Sequence, residues 1–357
     1  MRVLHIVGAM NLGGQESFIM NAYRKIDRNA YQFDYIVSNK NKGYFDDEIK
    51  NLGGRIYYIP EIKKRPIKRC IELYRIIKNN NYSVIHRHSA FSIVFIDLLV
   101  AKIAGVKIRI IHSHADYDPH RIHSALRKLV VLYSNYRFAC SEKAGKWMYG
   151  EKSNFEVLFN GVDTDAFKYD ETNRKRIRAE LGIAETDILI GHTGRLTPEK
   201  NHKFLIDLLS DLIKDNKNIY MAFIGDGFLR DELIQYCSER GVSNNVFFCG
   251  LKNNVNEFLS AFDCFFFPSI HEGLGISLIE AELNGLYCLV SENINDEAII
   301  GENVKKLPLE INCWTEAFKG ISNDLNHKHL SNDIIQRVDI EATVKRLEEV
   351  YDKTKNK

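Results

Sequence analysis

The chain has 357 residues, 45% of them hydrophobic, enough for two domains of ordinary size with separate cores. Its formal charge of +2 hides an asymmetry: residues 1–165 carry 26 Lys+Arg against 16 Asp+Glu, and the remainder 23 against 31, so the halves suit different partners. The seven cysteines are scattered without a C-x-x-C pair, which excludes a disulfide framework or cysteine zinc site and suits buried thiols in a reducing cytosol. No signal peptide is expected before the opening strand, and the longest apolar run, 93–101, is broken by Asp97 and too short to span a bilayer. The expected location is cytoplasmic, with peripheral attachment to the inner face of the membrane left open.

The pattern predicts a strand over 3–7, a loop over 8–15 and a helix over 16–25. The loop reads G-A-M-N-L-G-G-Q-E. Gly13 and Gly14 offer backbone N–H groups to a phosphate, or allow close approach of a second domain. It is not G-x-G-x-x-G, and no acidic residue ends the next strand where an adenine ribose would need one, which argues against a nicotinamide cofactor. Strands at 33–38, 55–59, 84–86, 108–112 and 137–141 then alternate with helices near 44–52, 67–79, 92–104 and 121–134, with a short helix after Glu142. Such alternation means a parallel sheet covered by helices on both faces, with ligands beyond the carboxyl ends of the strands. His86, His88, His112, His114 and Ser141 fall at those ends.

Two basic groups stand in this half. Lys63, Lys64, Arg65, Lys68 and Arg69 surround Pro66, at the start of a helix carrying Ile71, Leu73, Ile76 and Ile77. Arg121, Arg127 and Lys128 lie beside Leu126, Leu129, Val130 and Leu132. They form either a solvated face or a patch for anionic lipid headgroups, at about 1 kcal/mol per residue near the surface. Nucleic acid is not expected, since aromatic interleaving and a binding motif are both missing.

The domain boundary falls around 160–185, dividing the chain into 1–165, 166–338 and a C-terminal segment, 339–357, with a helix over 339–352. Asp163-Thr164-Asp165 mimics a D-x-D metal motif but sits in a turn. A charged helix over 174–181, closed by Gly182, leads to a strand at 188–192 and then Gly194-Arg195-Leu196-Thr197-Pro198-Glu199-Lys200-Asn201. Arg195 and Lys200 are spaced to clamp a diphosphate, one as a fork and one as a point charge. A strand at 221–224 precedes Gly225-Asp226-Gly227 and a helix at 229–239; a strand at 246–249 precedes Gly250-Leu251. Phe265–Phe267 then end a strand stopped by Pro268, followed by the loop His271-Glu272-Gly273-Leu274-Gly275, a helix ended by Gly285 and a strand at 286–290. The amides of Gly275, Ile276 and Ser277 are the unpaired donors of that helix start and invite an anion. Glu272 can reach a hydroxyl-bearing group, and Glu280, one turn in, a ribose diol.

The Glu272/Glu280 spacing inside PS..EG.G...IEA..NG, with G-R-L-x-x-E-K-N upstream, resembles the retaining glycosyltransferases of the GT4 group. The resemblance implies a GT-B fold: two Rossmann-like, doubly wound parallel-sheet domains facing each other across a cleft, the first for the acceptor and the second for the nucleotide sugar, with the C-terminal helix crossing back to the first. It implies that Arg195 and Lys200 neutralise the leaving nucleoside diphosphate, that Glu272 holds the sugar's 3- and 4-hydroxyls, and that Glu280 holds the ribose. Gly14 would lie against the donor diphosphate or the acceptor, and Gly250-Leu251 beside the nucleobase. His114 corresponds to a histidine near the anomeric carbon, although His112 leaves that register open by two residues. His86-Arg87-His88 resembles the group's H-x-H packing motif, and Phe159-Asn160-Gly161-Val162-Asp163 its interdomain segment. The implied reaction moves a hexosyl unit from a nucleoside-diphosphate sugar, UDP favoured, to a lipid-linked or saccharide acceptor in exopolysaccharide or capsule synthesis. Neither cofactor nor metal is expected: the histidines have no carboxylate at ligand spacing, and Arg195 and Lys200 supply the positive charge. A sugar-nucleotide epimerase, a sugar phosphorylase and a non-catalytic scaffold of the same fold are the alternatives. The sequence departs from the group at Tyr287, commonly proline, and at Glu282-Leu283-Asn284, commonly small residues.

Overall fold

The computed structural model describes residues 1–11, 13–38, 41–114, 123–272, 274–322 and 325–354. The chain divides into two compact units, Met1–Val162 with Val338–Lys357, and Asp163–Arg337.

In the first unit, strands β1 (Arg2–Ile6), β2 (Gln32–Val37), β3 (Ile56–Tyr58), β4 (Val84–His88), β5 (Ile108–Ser113), β6 (Tyr136–Ala139) and β7 (Glu156–Val157) alternate with helices. Those helices are α1 (Gly14–Lys25), α2 (Asp46–Asn51), α3 (Pro66–Asn79), α4 (Phe95–Ile103), α5 (His123–Tyr133) and α6 (Glu142–Tyr149). The strands form one parallel sheet in the order β3-β2-β1-β4-β5-β6-β7. The chain reverses direction across the sheet between β1 and β4, the place where ligands commonly sit in sheets of this kind. Phe18, Tyr23, Phe33, Tyr35 and Phe138 fill the core on one face.

In the second unit α7 (Glu171–Leu181) leads into β8 (Ile188–Thr193), α8 (His202–Leu212), β9 (Ile219–Ile224), α9 (Arg230–Glu239), β10 (Val246–Gly250) and α10 (Val255–Ala261). Next come β11 (Cys264–Phe267), α11 (Ile276–Leu283), β12 (Tyr287–Ser291), β13 (Val304–Leu307), α12 (Ile311–Ile321) and α13 (Asn332–Val338). The parallel sheet runs β10-β9-β8-β11-β12-β13, with its reversal between β8 and β11. Gly191 in β8 permits this packing, since a Cβ there would stand 1.9 Å from the Phe262 ring. The final helix, α14 (Ile340–Tyr351), belongs to the first unit, where Ile340, Leu347 and Tyr351 join its core. Asp339 caps it by accepting the Glu341 N–H, and Arg346 pairs with Glu156 at 2.7 Å.

The structure departs from the sequence expectations at three places. Arg69 is no part of a surface patch. It is 2% exposed and paired with Asp97 at 2.8 Å, with Arg87 on the same carboxylate at 3.0 Å. Its place in the first turn of α3 aims it inward, and a buried arginine is tolerated only with such a partner. The apolar face assigned to α3 is also divided: Leu73 and Ile77 are buried, whereas Ile71 is 46% exposed. Finally, β4 runs two residues beyond the predicted 84–86, which sends both His86 and His88 into the interior. Arg121 lies outside the described residues.

Candidate functional site

The loops after β8 and β11 leave neighbouring strands of the second sheet, so residues about seventy positions apart in sequence meet. Arg195 follows β8 and is exposed, with no ion pair among the described residues. Lys200 turns back instead, its Nζ 2.5 Å from Glu272 Oε1 and 4.9 Å from the Phe267 ring centre. Backbone bonds pin the two loops together, Ile270 N–H donating to the Glu199 carbonyl at 2.8 Å. Gly194 makes room for the lysine, since a Cβ there would touch its stem at 3.2 Å. Gly275 adopts φ +80° as the residue before α11, a left-handed conformation that suits glycine, and packs against Phe267. Ile276 and Ser277 open the helix beside it. Glu280, one turn in, is half-buried and makes no side-chain hydrogen bond among the described residues. Burial pushes its carboxyl up to about 8, the charge of Lys200 acting weakly the other way. Gly250, at φ +72°, accepts the Gly225 N–H at 2.9 Å, and Leu251 beside it is exposed.

In the first unit, Gly14 is the first residue of α1, and the extended Gly13 precedes it. Below that helix five imidazoles gather: His5 from β1, His86 and His88 from β4, and His112 and His114 from the end of β5. His88 hydrogen-bonds both ways, its Nε2 3.0 Å from His5 Nδ1 and its Nδ1 2.9 Å from His114 Nε2. His86 Nδ1 meets the Tyr351 hydroxyl at 3.1 Å. His112 is buried and neither of its nitrogens has a partner among the described residues, whereas His114 is half-exposed. Period-two alternation sends both side chains to one face, and depth distinguishes them. Burial lowers every one of these groups, His5 and His114 to about 3, so all are neutral at pH 7.

Two family models cover nearly the whole chain: Glycosyltransferase Family 4 over residues 12–166 and Glycosyl transferases group 1 over 173–339. A Bacillus subtilis (strain 168) protein named as the glycosyltransferase EpsF is 33% identical over 331 residues, spanning 88% of this chain and 86% of its own. The chain belongs to this glycosyltransferase family. The capsular polysaccharide biosynthesis glycosyltransferase CapH of Staphylococcus aureus is 27% identical and covered at 98% on both sides. The Escherichia coli UDP-Gal:alpha-D-GlcNAc-diphosphoundecaprenol alpha-1,3-galactosyltransferase is 23% identical over 90% of this chain and 89% of its own. Among solved structures, Anabaena Alr3699/HepE in complex with UDP superposes with a TM-score of 0.81 at 18% identity, over 99% of this chain and 100% of that one. The fold is GT-B.

Both departures of this glycosyltransferase from its group have packing roles. Buried Glu282 accepts the N–H groups of Ile300 and Gly301, and Asn284 donates to the Phe167 carbonyl and the Ser260 hydroxyl. Tyr287 opens β12 opposite Cys264. Of the basic residues predicted to form the patch, Lys63, Lys64, Arg65, Lys68 and Lys128 are exposed, with Arg127 half-buried beside Gly150. Lys64 and Lys68 lean on Glu61 and Glu72, which weakens them as a patch. Ile67 (76% exposed), Ile71 and Tyr74 line the same helix at i, i+4 and i+7. Sequence reasoning passed over His5 and His192. His192 donates Nδ1–H to the Phe266 carbonyl at 2.8 Å, leaving a bare Nε2 buried near the Lys200 stem. A histidine next to the end of a buried strand, two residues before a glycine-arginine pair, was the available signal.

Proposed function

We propose that this glycosyltransferase moves a hexosyl unit, with retention, from a nucleoside-diphosphate sugar to a lipid-linked or saccharide acceptor of surface polysaccharide synthesis. The observation that carries this reading is the meeting, at the β8/β11 reversal, of Lys200, Glu272, Glu280 and the start of α11, with Arg195 exposed on the same loop after β8. Arg195 and the amides of Gly275, Ile276 and Ser277 take the diphosphate, and Lys200 swings from Glu272 onto it as negative charge builds on the leaving oxygen. Glu272, released from the lysine, accepts the sugar's 3- and 4-hydroxyls. Glu280, which has no side-chain hydrogen-bond partner among the described residues, takes the ribose diol. The base lies by Gly250-Leu251, and UDP is favoured because HepE, the structural relative, was solved with UDP.

Gly14 and His114 belong to the first unit, which takes the acceptor, with His114 as the contact for the sugar's 6-hydroxyl. Departure of the phosphate and arrival of the acceptor on one face of the sugar give retention, the leaving phosphate taking the acceptor's proton. Arg195 and Lys200 supply the positive charge, so transfer needs no metal. A lipid-linked acceptor is supported by the diphosphoundecaprenol in the E. coli relative's name and by the basic, apolar outer face of α3. No helix among the described residues is long and apolar enough to cross a membrane, so attachment would be peripheral, through α3 lying on anionic headgroups of the cytoplasmic leaflet.

The test is release of nucleotide from UDP-, GDP-, ADP- and TDP-sugars with chelator present, followed by NMR of the product's anomeric centre. One responsive donor and a retained configuration are expected. No release from any donor, with no thermal stabilisation by UDP or GDP, would return the chain to a non-catalytic scaffold.

A further inference from the structure

The histidine cluster of the first unit exceeds what a sugar contact requires. Five imidazoles from three adjacent strands share one face of the sheet, and five of their ten ring nitrogens are buried without a hydrogen-bond partner among the described residues. Each such orphan costs on the order of 1–3 kcal/mol unless an ion or water satisfies it. Ring nitrogens of His88, His112 and His114 lie within 4.8 Å of one another.

We propose that His88, His112 and His114 form a binding site for one divalent cation of the zinc class. An all-imidazole donor set selects zinc, cobalt or nickel over magnesium and calcium, which demand oxygen. His88 Nδ1 and His114 Nε2 already face each other at 2.9 Å. Two nitrogens on one tetrahedral zinc, at about 2.0–2.1 Å each, stand roughly 3.4 Å apart, so an opening of about half an ångström admits the ion. His112 supplies the third nitrogen at no cost in hydrogen bonds, since neither of its own is engaged. The orienting partner is also in place: with Nδ1 on the metal, His88 carries its proton on Nε2 and donates it to His5 Nδ1, 3.0 Å away. His114 is the one member of the triad that is not fully buried and marks its open side, where a fourth position takes water or an anion. The second triad, His5, His86 and His88, also lies within 4.8 Å but is buried throughout and has no such open side.

The site shares His114 with the sugar contact proposed above, so its test does not use transfer activity. Untagged full-length protein, stripped with chelator and dialysed, is titrated with Co(II). One equivalent bound, with the visible absorption of a four-coordinate nitrogen site that zinc abolishes, is the expected result. His114→Gln, a change at the open side that leaves the core intact, should remove that spectrum while circular dichroism stays native, and His112→Gln should do the same. No cobalt spectrum from the folded parent, or a spectrum that survives His114→Gln, would overturn the proposal and leave buried water as the partner of the orphaned nitrogens.

Discussion

Replacing Glu280 with glutamine tests the ribose site through stability before any substrate is known. The unfolded chain releases this proton near 4.5 and the folded chain near 8, because burial disfavours the charged carboxylate. Between those values the folded state holds the extra proton, so each pH unit upward costs about 1.4 kcal/mol, and the slope vanishes below 4.5 and above 8. The full interval corresponds to a ceiling of about 5 kcal/mol, and since the residue is half-buried, water screening reduces the plateau to about 2 kcal/mol. Glutamine keeps the shape and carries no charge. Glu280→Gln should therefore match the parent at pH 5 and exceed it progressively to pH 8, by about 4–8 °C in Tm for a unit of this size. Glu282, also raised to about 8 by burial, titrates in both proteins and cancels in the difference. Urea and thermal melts from pH 5 to 9 measure it, with UDP affinity followed in parallel. A stability difference that does not change with pH, or a parent more stable than the variant at pH 8.5, would refute the argument.

Lys200→Ala should lower turnover about 100-fold or more, the range seen when a single charge-stabilising group is lost; a rate within a few-fold of the parent would remove Lys200 from the leaving-group site. Asp97→Ala strands Arg69 and Arg87 in the core and should cost about 3–5 kcal/mol in urea unfolding, whereas a loss below 1 kcal/mol would mean that the pair is not buried. Arg65→Ala should weaken binding to vesicles containing phosphatidylserine about fivefold at low salt, measured by co-sedimentation; unchanged binding would count against α3 as the membrane face.

The sequence by itself determined the parts whose chemistry is local. Alternating strands and helices announced two parallel sheets, because side-chain period and glycine or proline punctuation are read within a few residues. The loop from His271 to Gly275 before a helix, and the Arg195–Lys200 spacing, announced an anion site for the same reason. Depth and adjacency were not legible. Arg69 read as one more cation in a basic run, and only the packing of α3 against α4 buried it on Asp97. His5 stood alone in an apolar strand, eighty residues from His86 and His88. Strand order placed β1 beside β4 and β4 beside β5, which turned scattered histidines into one cluster. The same cause joins Lys200 to Glu272: β8 and β11 are neighbours only because the intervening β9 and β10 are laid on the other side of β8. Pairing across a sheet depends on how every crossover packs, and no single stretch of chain contains that information.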